Sequence, residues 1–119
     1  MTKEERTERA KGLHKQGCNC SQAVVMAYAD KLPITPEDAM NVAAPFGRGL
    51  SGTREVCGCV SGMAMVCGLT GHTADTRTLI ERFRESNGDI VCARLLTGGK
   101  KPCGELVAEA AGLLSDVIE

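Results

Sequence analysis

The sequence predicts an all-α fold: a single compact domain of about six to seven helices around a buried central helix rich in small residues. Helix start and stop signals recur along the chain, whereas no segment alternates apolar and polar residues in the manner of a half-buried strand. The 119 residues, of which 43% are hydrophobic, suit one domain that buries roughly two-thirds of its unfolded surface. We therefore expect residues 1–119 to form one all-helical domain.

The first two helices each begin with a capping box, in which two side chains satisfy backbone N–H groups of the first turn. Thr2 and Glu5 predict the start of a charged helix that runs to Gly17, and Asn19 and Gln22 predict the start of the second. The first helix carries cationic residues interleaved with glutamates, which predicts a solvent-exposed face with i,i+4 ion pairs. These cationic residues are Lys3, Arg6, Arg9, Lys11 and Lys15.

A third short helix and a glycine-rich loop precede the central helix. Thr35 is a suitable N-cap, and Pro36 follows at the first helical position, where its missing N–H group is not needed. Pro45 ends this helix, because the residue before a proline is displaced from the helical region. Residues 46–52 then form the loop. They contain the letters G-x-G-x-x-G, but no strand precedes them, so a dinucleotide site is not expected.

The predicted central helix spans residues 53–69, with Thr53 as its N-cap. It is apolar nearly all round, which places it inside the fold. Gly58 and Gly62, four residues apart, remove side chains from one face, so we expect another backbone to approach that face closely. Each glycine lowers helix stability by about 1 kcal/mol relative to alanine, which indicates that packing requires both.

The last three helices are predicted from capping residues and breakers. Thr73 is the expected N-cap of a fifth helix, which residues 87–88 (Asn-Gly) end. Asp89 is the expected N-cap of a short sixth helix. Pro102 opens the last helix, which ends near Ile118.

Composition and charge exclude several functions. A net charge of −1 and three aromatic residues in total argue against a nucleic-acid partner, which requires a basic surface or stacking platforms. No membrane partner is expected either, because the longest uncharged apolar stretch has about 14 residues and a spanning helix needs roughly 18. The N-terminal residues are charged and lack the apolar core of a signal peptide, which predicts a cytoplasmic protein with reduced thiols.

Four of the seven cysteines lie in or beside the predicted first turns of helices. Unpaired N–H groups and the helix dipole favour negative charge there. That environment lowers the pKa of a thiol and makes its thiolate available as a nucleophile or a metal ligand. The four are Cys20, Cys57, Cys92 and Cys103.

The other three cysteines have simpler interpretations. Cys59 and Cys67 share one face of the central helix with Met63, which predicts that both are core residues. At 100° per residue Cys57 and Cys59 point to opposite sides of a helix, so we do not expect them to share a ligand set. Cys18 lies in a loop and its role stays open. His14 and His72 are not at a metal-ligand spacing and are expected at the surface.

A four-cysteine pattern extends over most of the chain and includes residues 17–24, 46–49, 56–62 and 92–96, together with Cys103. In residues 57–62, Cys-Gly-Cys-Val-Ser-Gly fits the motif C-G-A-x-x-G, with Cys59 in place of the alanine. Through these residues the chain resembles the C_GCAxxG_C_C family of small redox-active proteins. The resemblance implies that the family's four signature cysteines fall on the four already singled out, and it implies a redox role without fixing the reaction. Whether Cys57 or Cys59 is the functional thiol of this motif stays open.

Three hypotheses follow for this four-cysteine site. In the first, Cys20, Cys57, Cys92 and Cys103 hold an iron–sulfur cluster for electron transfer or sensing, since helix N-termini stabilise its negative charge. In the second, all four are redox thiols of a thiol–disulfide enzyme that needs no metal, two as the exchanging pair and the others as resolving thiols. In the third, all four hold a structural Zn²⁺. The resemblance favours a redox role over a structural one, with the cluster first. A redox role requires a redox partner protein, which the sequence does not identify, and the oligomeric state, a homodimer included, stays open.

Overall fold

Helices account for the architecture of the chain. A computed structural model describes residues 1–99 and 101–119. Within these residues there is no β-strand, and the all-α prediction is confirmed. The α-helices are α1 (Lys3–Lys15), α2 (Cys20–Met26), α3 (Pro36–Ala43), α4 (Gly47–Leu50), α5 (Gly58–Leu69), α6 (Thr76–Asn87), α7 (Cys92–Gly98) and α8 (Cys103–Ile118). Short 3₁₀ turns occur at Ala29–Lys31, Ala44–Phe46 and Thr73–Asp75.

The buried helix α5 lies in the middle of the fold, where it packs against α2, α6 and α8. Its glycines allow α2 to approach closely, as predicted. A Cβ atom added at Gly62 would lie 3.0 Å from the Cβ of Val24, and one added at Gly58 would lie 3.0 Å from the backbone nitrogen of Ser21. In the part of the chain that the structure describes, no helix is both long and apolar enough to cross a membrane.

The structure confirms those predicted helix ends that depend on residues close in sequence. The side chains of Thr2, Asn19 and Thr35 each accept a hydrogen bond from a backbone N–H group in the first turn of their helix, and both capping boxes form. Gly88 ends α6 with a φ of 82°, and Pro102 is the N-cap of α8. These ends depend only on residues close in sequence, which is why the sequence predicts them.

The predicted start of the central helix is wrong. α5 begins at Gly58, five residues after Thr53. The Thr53 hydroxyl donates instead to the carbonyl of Gly49 (2.7 Å) and stabilises the preceding loop. Between the loop and the helix, Val56 forms an isolated antiparallel bridge with Val91. A contact between distant parts of the chain therefore holds this segment out of the helix.

Two other predicted N-caps are also wrong. Thr73 opens a 3₁₀ turn, and α6 begins only at Thr76. The carboxylate of Asp89 accepts hydrogen bonds from the next two backbone N–H groups (2.7 and 3.0 Å), and α7 begins at Cys92. In this case a local side-chain to backbone turn competes with the helical cap and replaces it.

The N-terminal helix is not a uniformly solvated face, because one of its cationic side chains is fully buried. α1 packs along α8, and Arg6 is 0% exposed. Its guanidinium donates to the carboxylates of Asp30 and Glu119 and to the carbonyl of Ala27 (2.8 Å), and it lies over the ring of Tyr28. A buried charge requires such partners. The expectation of an exposed Arg6 is therefore wrong.

Candidate functional site

Four helix N-termini converge on one cavity of about 290 Å³. Cys20, Cys92 and Cys103 are the first residues of α2, α7 and α8, and Cys57 is the N-cap of α5. All four residues line this cavity. The positive end of a helix dipole favours negative charge near a helix start. The structure thus brings together the four cysteines that the sequence singled out.

Backbone hydrogen bonds between distant segments fix the starts of α5 and α7 relative to each other. The N–H group of Cys57 donates to the carbonyl of Ile90 (2.8 Å), and that of Cys92 donates to the carbonyl of Glu55 (2.6 Å). Cys57 consequently lies at the cavity as an N-cap with a ψ of 135°, rather than one turn inside a helix. Cys57 lies beside a helix start, as predicted, although that helix begins at Gly58 and not near Thr53.

Cys59 is the buried core residue that the sequence predicts, and it also interacts with two of the cavity thiols. It is fully buried in α5, and its thiol donates to the sulfurs of Cys20 and Cys57. The rotation of 100° per residue does not separate Cys57 from Cys59, because Cys57 precedes the helix and has non-helical backbone angles. These two interactions raise the pKa of Cys59 well above its ordinary value, and burial raises it further.

Cys20 is the most acidic thiol of the cluster. Donation from the Cys59 thiol is the largest cause that lowers the pKa of Cys20 to about 6, against the opposing effect of burial. The electrostatic interaction with His14 and hydrogen bonding with Cys103 lower the pKa of Cys20 further. Cys20 is therefore mainly a thiolate at neutral pH, and its place at the cavity gives that thiolate access to a ligand.

Cys57 and Cys103 have pKa values that shift in opposite directions. Donation from the Cys59 thiol, helped by the backbone N–H groups of Cys59 and Val60, lowers the pKa of Cys57. Burial raises the pKa of Cys103, and the negative charge of the neighbouring Cys20 raises it further. At neutral pH the site thus holds a thiolate at Cys20 beside a protonated thiol at Cys103.

The two remaining cysteines lie outside this network of thiols. Cys67 is fully buried toward the other end of α5, where burial raises its pKa and the neighbouring hydroxyl is that of Thr76. Cys18 is half-buried and lines the cavity, and burial raises its pKa too. Cys67 is the core residue that the sequence predicts, whereas Cys18 is part of the cavity wall.

Three basic residues of the cavity were missed in the sequence. His14, expected at the surface, is half-buried and lines the cavity from the end of α1. Arg48 lines it from α4, where its backbone angles depart from helical values, and Arg54 lines it from the segment between α4 and α5. Arg54 Nη1 donates to Cys92 Sγ at 3.7 Å. Two arginines close to a glycine-rich loop are a sequence signal, but only the fold shows that they face the cysteines.

The cysteines are unpaired in the structure, and no disulfide links any two of the seven. Within residues 1–99 and 101–119, no group of three or more His, Cys, Asp or Glu side chains has the arrangement of a metal site.

One family model matches the chain over residues 18–117, and its description is "Putative redox-active protein (C_GCAxxG_C_C)". The matched region contains all seven cysteines and both arginines of the cavity. No curated protein and no solved structure is significantly similar to the chain.

Proposed function

The chain belongs to the C_GCAxxG_C_C family of redox-active proteins, and we propose that it acts as a thiol–disulfide oxidoreductase. Cys20 is the attacking thiolate and Cys103 is the second, resolving thiol. The observation that carries this proposal is the position of Cys20. It starts α2 at the cavity, with the thiol of Cys59 buried behind it and that of Cys103 beside it.

The first step is the attack of the Cys20 thiolate on one sulfur of a disulfide substrate. The substrate S–S bond breaks, a bond forms between the Cys20 sulfur and that half of the substrate, and the other half leaves as a thiolate that takes up a proton. Cys103 then loses its proton and attacks the Cys20 sulfur. The second substrate half leaves as a thiol, and a Cys20–Cys103 disulfide remains. The two protein thiols thereby supply the two electrons that reduce the substrate.

The attack by Cys20 makes the later attack by Cys103 easier, because it removes a negative charge beside the Cys103 thiol. The negative charge of Cys20 contributes to the raised pKa of Cys103. That charge disappears when Cys20 enters the mixed disulfide, so the Cys103 thiol becomes easier to ionise. An external dithiol, the unidentified redox partner protein, regenerates both thiols by the same exchange in reverse.

The Cys103→Ser variant tests this order of events. After treatment with bis(2-hydroxyethyl) disulfide, the mixed disulfide on Cys20 accumulates in the variant because the resolving thiol is missing, and intact-mass measurement detects the added substrate half. Cys67→Ser, which removes a buried thiol outside the cavity, is the matched control and behaves as the unmodified chain. Equal accumulation in both variants, or none on Cys20, would contradict the proposal.

A second candidate is an iron–sulfur cluster held by Cys20, Cys57, Cys92 and Cys103. The convergence of four helix N-termini on one cavity supports it, because such termini stabilise the negative charge of a cluster. Protein that is prepared and reconstituted without oxygen then contains iron and sulfide and absorbs visible light. Colourless protein that contains zinc would instead support a structural Zn²⁺ site. Colourless protein without metal would exclude both and leave thiol–disulfide exchange.

A further inference from the structure

The cavity presents positive charge as well as thiols. Arg48, Arg54 and His14 line it, and among the described residues its lining includes no aspartate or glutamate. Arg54 gives one N–H group to Cys92, and a guanidinium has five donors, so most of its hydrogen-bonding capacity is left. A molecule that enters this cavity therefore meets two guanidinium groups at the wall that also carries the reactive sulfur of Cys20.

The backbone holds both arginines at the cavity in an unfavourable conformation. Arg48 and Arg54 have φ angles of 56° and 61°, in the left-handed region that residues with a side chain avoid. The N–H group of Arg54 donates to the carbonyl of Arg48 (3.2 Å), which closes the loop on itself. At Gly49, between them, an added Cβ would lie 2.5 Å from the Cα of Arg54. Strain of this kind is concentrated at functional sites, where the surrounding structure maintains it.

The rest of the cavity limits the size and shape of a ligand. Leu95, Leu96 and Leu106 form an apolar part of the wall. A volume of about 290 Å³ lies at the lower end of the range for small-molecule pockets. The cavity therefore suits a small molecule with a short apolar chain and an anionic group.

We propose that the cavity selects small disulfides that carry carboxylate groups. A carboxylate of the ligand pairs with Arg48 and Arg54 while one of its sulfurs meets Cys20. This inference rests on the proposed thiol–disulfide function and adds the substrate class to it. Guanidinium–carboxylate pairs are charge-assisted and often bidentate, so they orient a ligand as well as attract it. The exchange itself is unchanged, with the carboxylate-bearing halves leaving as two thiols.

Three disulfides of similar size and different charge test the proposal: 3,3′-dithiodipropionate, bis(2-hydroxyethyl) disulfide and cystamine, which are anionic, neutral and cationic. The measured quantity is the rate at which a mixed disulfide forms on Cys20 at pH 7 in the Cys103→Ser background, where the resolving thiol is absent. We expect the anionic probe to react about tenfold faster than the cationic one, because a charged cavity concentrates ligands of opposite sign. Arg54→Gln and Arg48→Gln remove most of this preference. Arg77→Gln makes the same change on the exposed part of α6, away from the cavity, and retains the preference.

The arginines could change the reaction rate by attracting an anionic ligand or by changing the ionisation of Cys20, and a second measurement distinguishes these two effects. Iodoacetate and iodoacetamide alkylate the same thiolate and differ mainly in charge, so the ratio of their rates does not depend on the pKa of Cys20. We expect Arg54→Gln to lower the iodoacetate to iodoacetamide ratio by about fivefold, in keeping with the loss of a nearby cation. Equal rates with all three disulfides and an unchanged ratio would overturn the selection of anions and leave the exchange reaction intact. Failure of all three disulfides to modify Cys20 would overturn the proposed function itself.

Discussion

The two ends of α5 both bury a cysteine, yet their surroundings differ. Cys59, near the start of the helix, interacts with the thiols of Cys20 and Cys57 at the cavity. Cys67, eight residues later, is equally buried and has the hydroxyl of Thr76 as its neighbour. Burial alone therefore does not distinguish a thiol beside the cavity from an isolated core thiol. The neighbouring helix N-termini and thiols make that distinction.

Backbone packing shows the same contrast along α5. At Gly62, in the first half of the helix, an added Cβ would lie 3.0 Å from the Cβ of Val24. At Gly68, in the last turn, it would meet no atom within 4 Å. The end that carries the thiol cluster is thus packed closely against α2, which holds the start of α2 and its Cys20 in place. The other end tolerates additional volume.

Substitution of the attacking thiol has the largest expected effect. Cys20→Ser replaces the thiolate by a hydroxyl that stays un-ionised, so mixed-disulfide formation falls by about 100-fold or more. Cys67→Ser removes a fully buried thiol that does not line the cavity, and it leaves the rate unchanged. Rates measured with bis(2-hydroxyethyl) disulfide at pH 7 check both expectations. A similar loss in both variants would mean that the cavity thiol Cys20 and the core thiol Cys67 do not differ in function.

The pH dependence of alkylation separates the cavity thiolate from ordinary thiols. With a pKa of about 6, Cys20 gains thiolate as the pH rises through 6, so its rate with iodoacetamide increases about tenfold from pH 5 to pH 7 and then levels off. The pKa of Cys67 is raised by burial, so its rate continues to increase above pH 9 or is observed only in unfolded protein. Peptide mass spectrometry reads out each site. A Cys20 rate that still increases between pH 8 and pH 9 would contradict the lowered pKa.

Removal of the Cys59 thiol, which is the buried hydrogen-bond donor, has a smaller effect on the alkylation of Cys20. Cys59→Ala deletes the largest cause of the lowered pKa of Cys20, so the midpoint of the alkylation profile moves to higher pH and the rate at pH 6 falls severalfold. Cys67→Ala leaves this midpoint in place. Each variant also loses about 1–2 kcal/mol of stability, as for other small truncations in a core. An unchanged midpoint in Cys59→Ala would show that Cys59 is only a core residue.

Packing along α5 gives the smallest expected effect. Gly62→Ala forces the new methyl group against Val24 and lowers the free energy of unfolding by about 1–3 kcal/mol. Gly68→Ala adds a methyl group in open space and raises that free energy by up to about 1 kcal/mol through helix propensity. Urea denaturation measures both. Stabilisation by both substitutions would show that α2 does not need the close approach.

The sequence predicts those parts of the fold that depend on adjacent residues. The caps at Thr2, Asn19 and Thr35 are local, and so is the end of α6 at Gly88. The start of α5 was not predictable in this way. The bridge between Val56 and a distant segment determines it, and no local pattern encodes that pairing.

The residues of the site also fall into two groups: those that adjacent residues in the sequence identify and those that only the fold identifies. Cys20 and Cys103 could be selected because each lies beside a helix start that adjacent residues encode. Cys57 and Cys92 were selected with the N-caps Thr53 and Asp89, which do not form, although both residues lie at helix starts. The role of Cys59 could not be predicted, since its contact with Cys20 depends on the packing of α2 against α5. His14 and Arg54 reach the cavity from α1 and from the loop, so their contribution is a property of the folded chain alone.

Disulfide mapping tests the central claim most directly. The Cys18→Ala variant, in which Cys20 is the remaining cysteine of its tryptic peptide, is treated with one equivalent of bis(2-hydroxyethyl) disulfide and digested. The account predicts one main product, a disulfide between Cys20 and Cys103, because these thiols are neighbours at the cavity and their ionisation is linked. A disulfide that joins Cys20 to another cysteine, or a product in which Cys20 stays free, would contradict it.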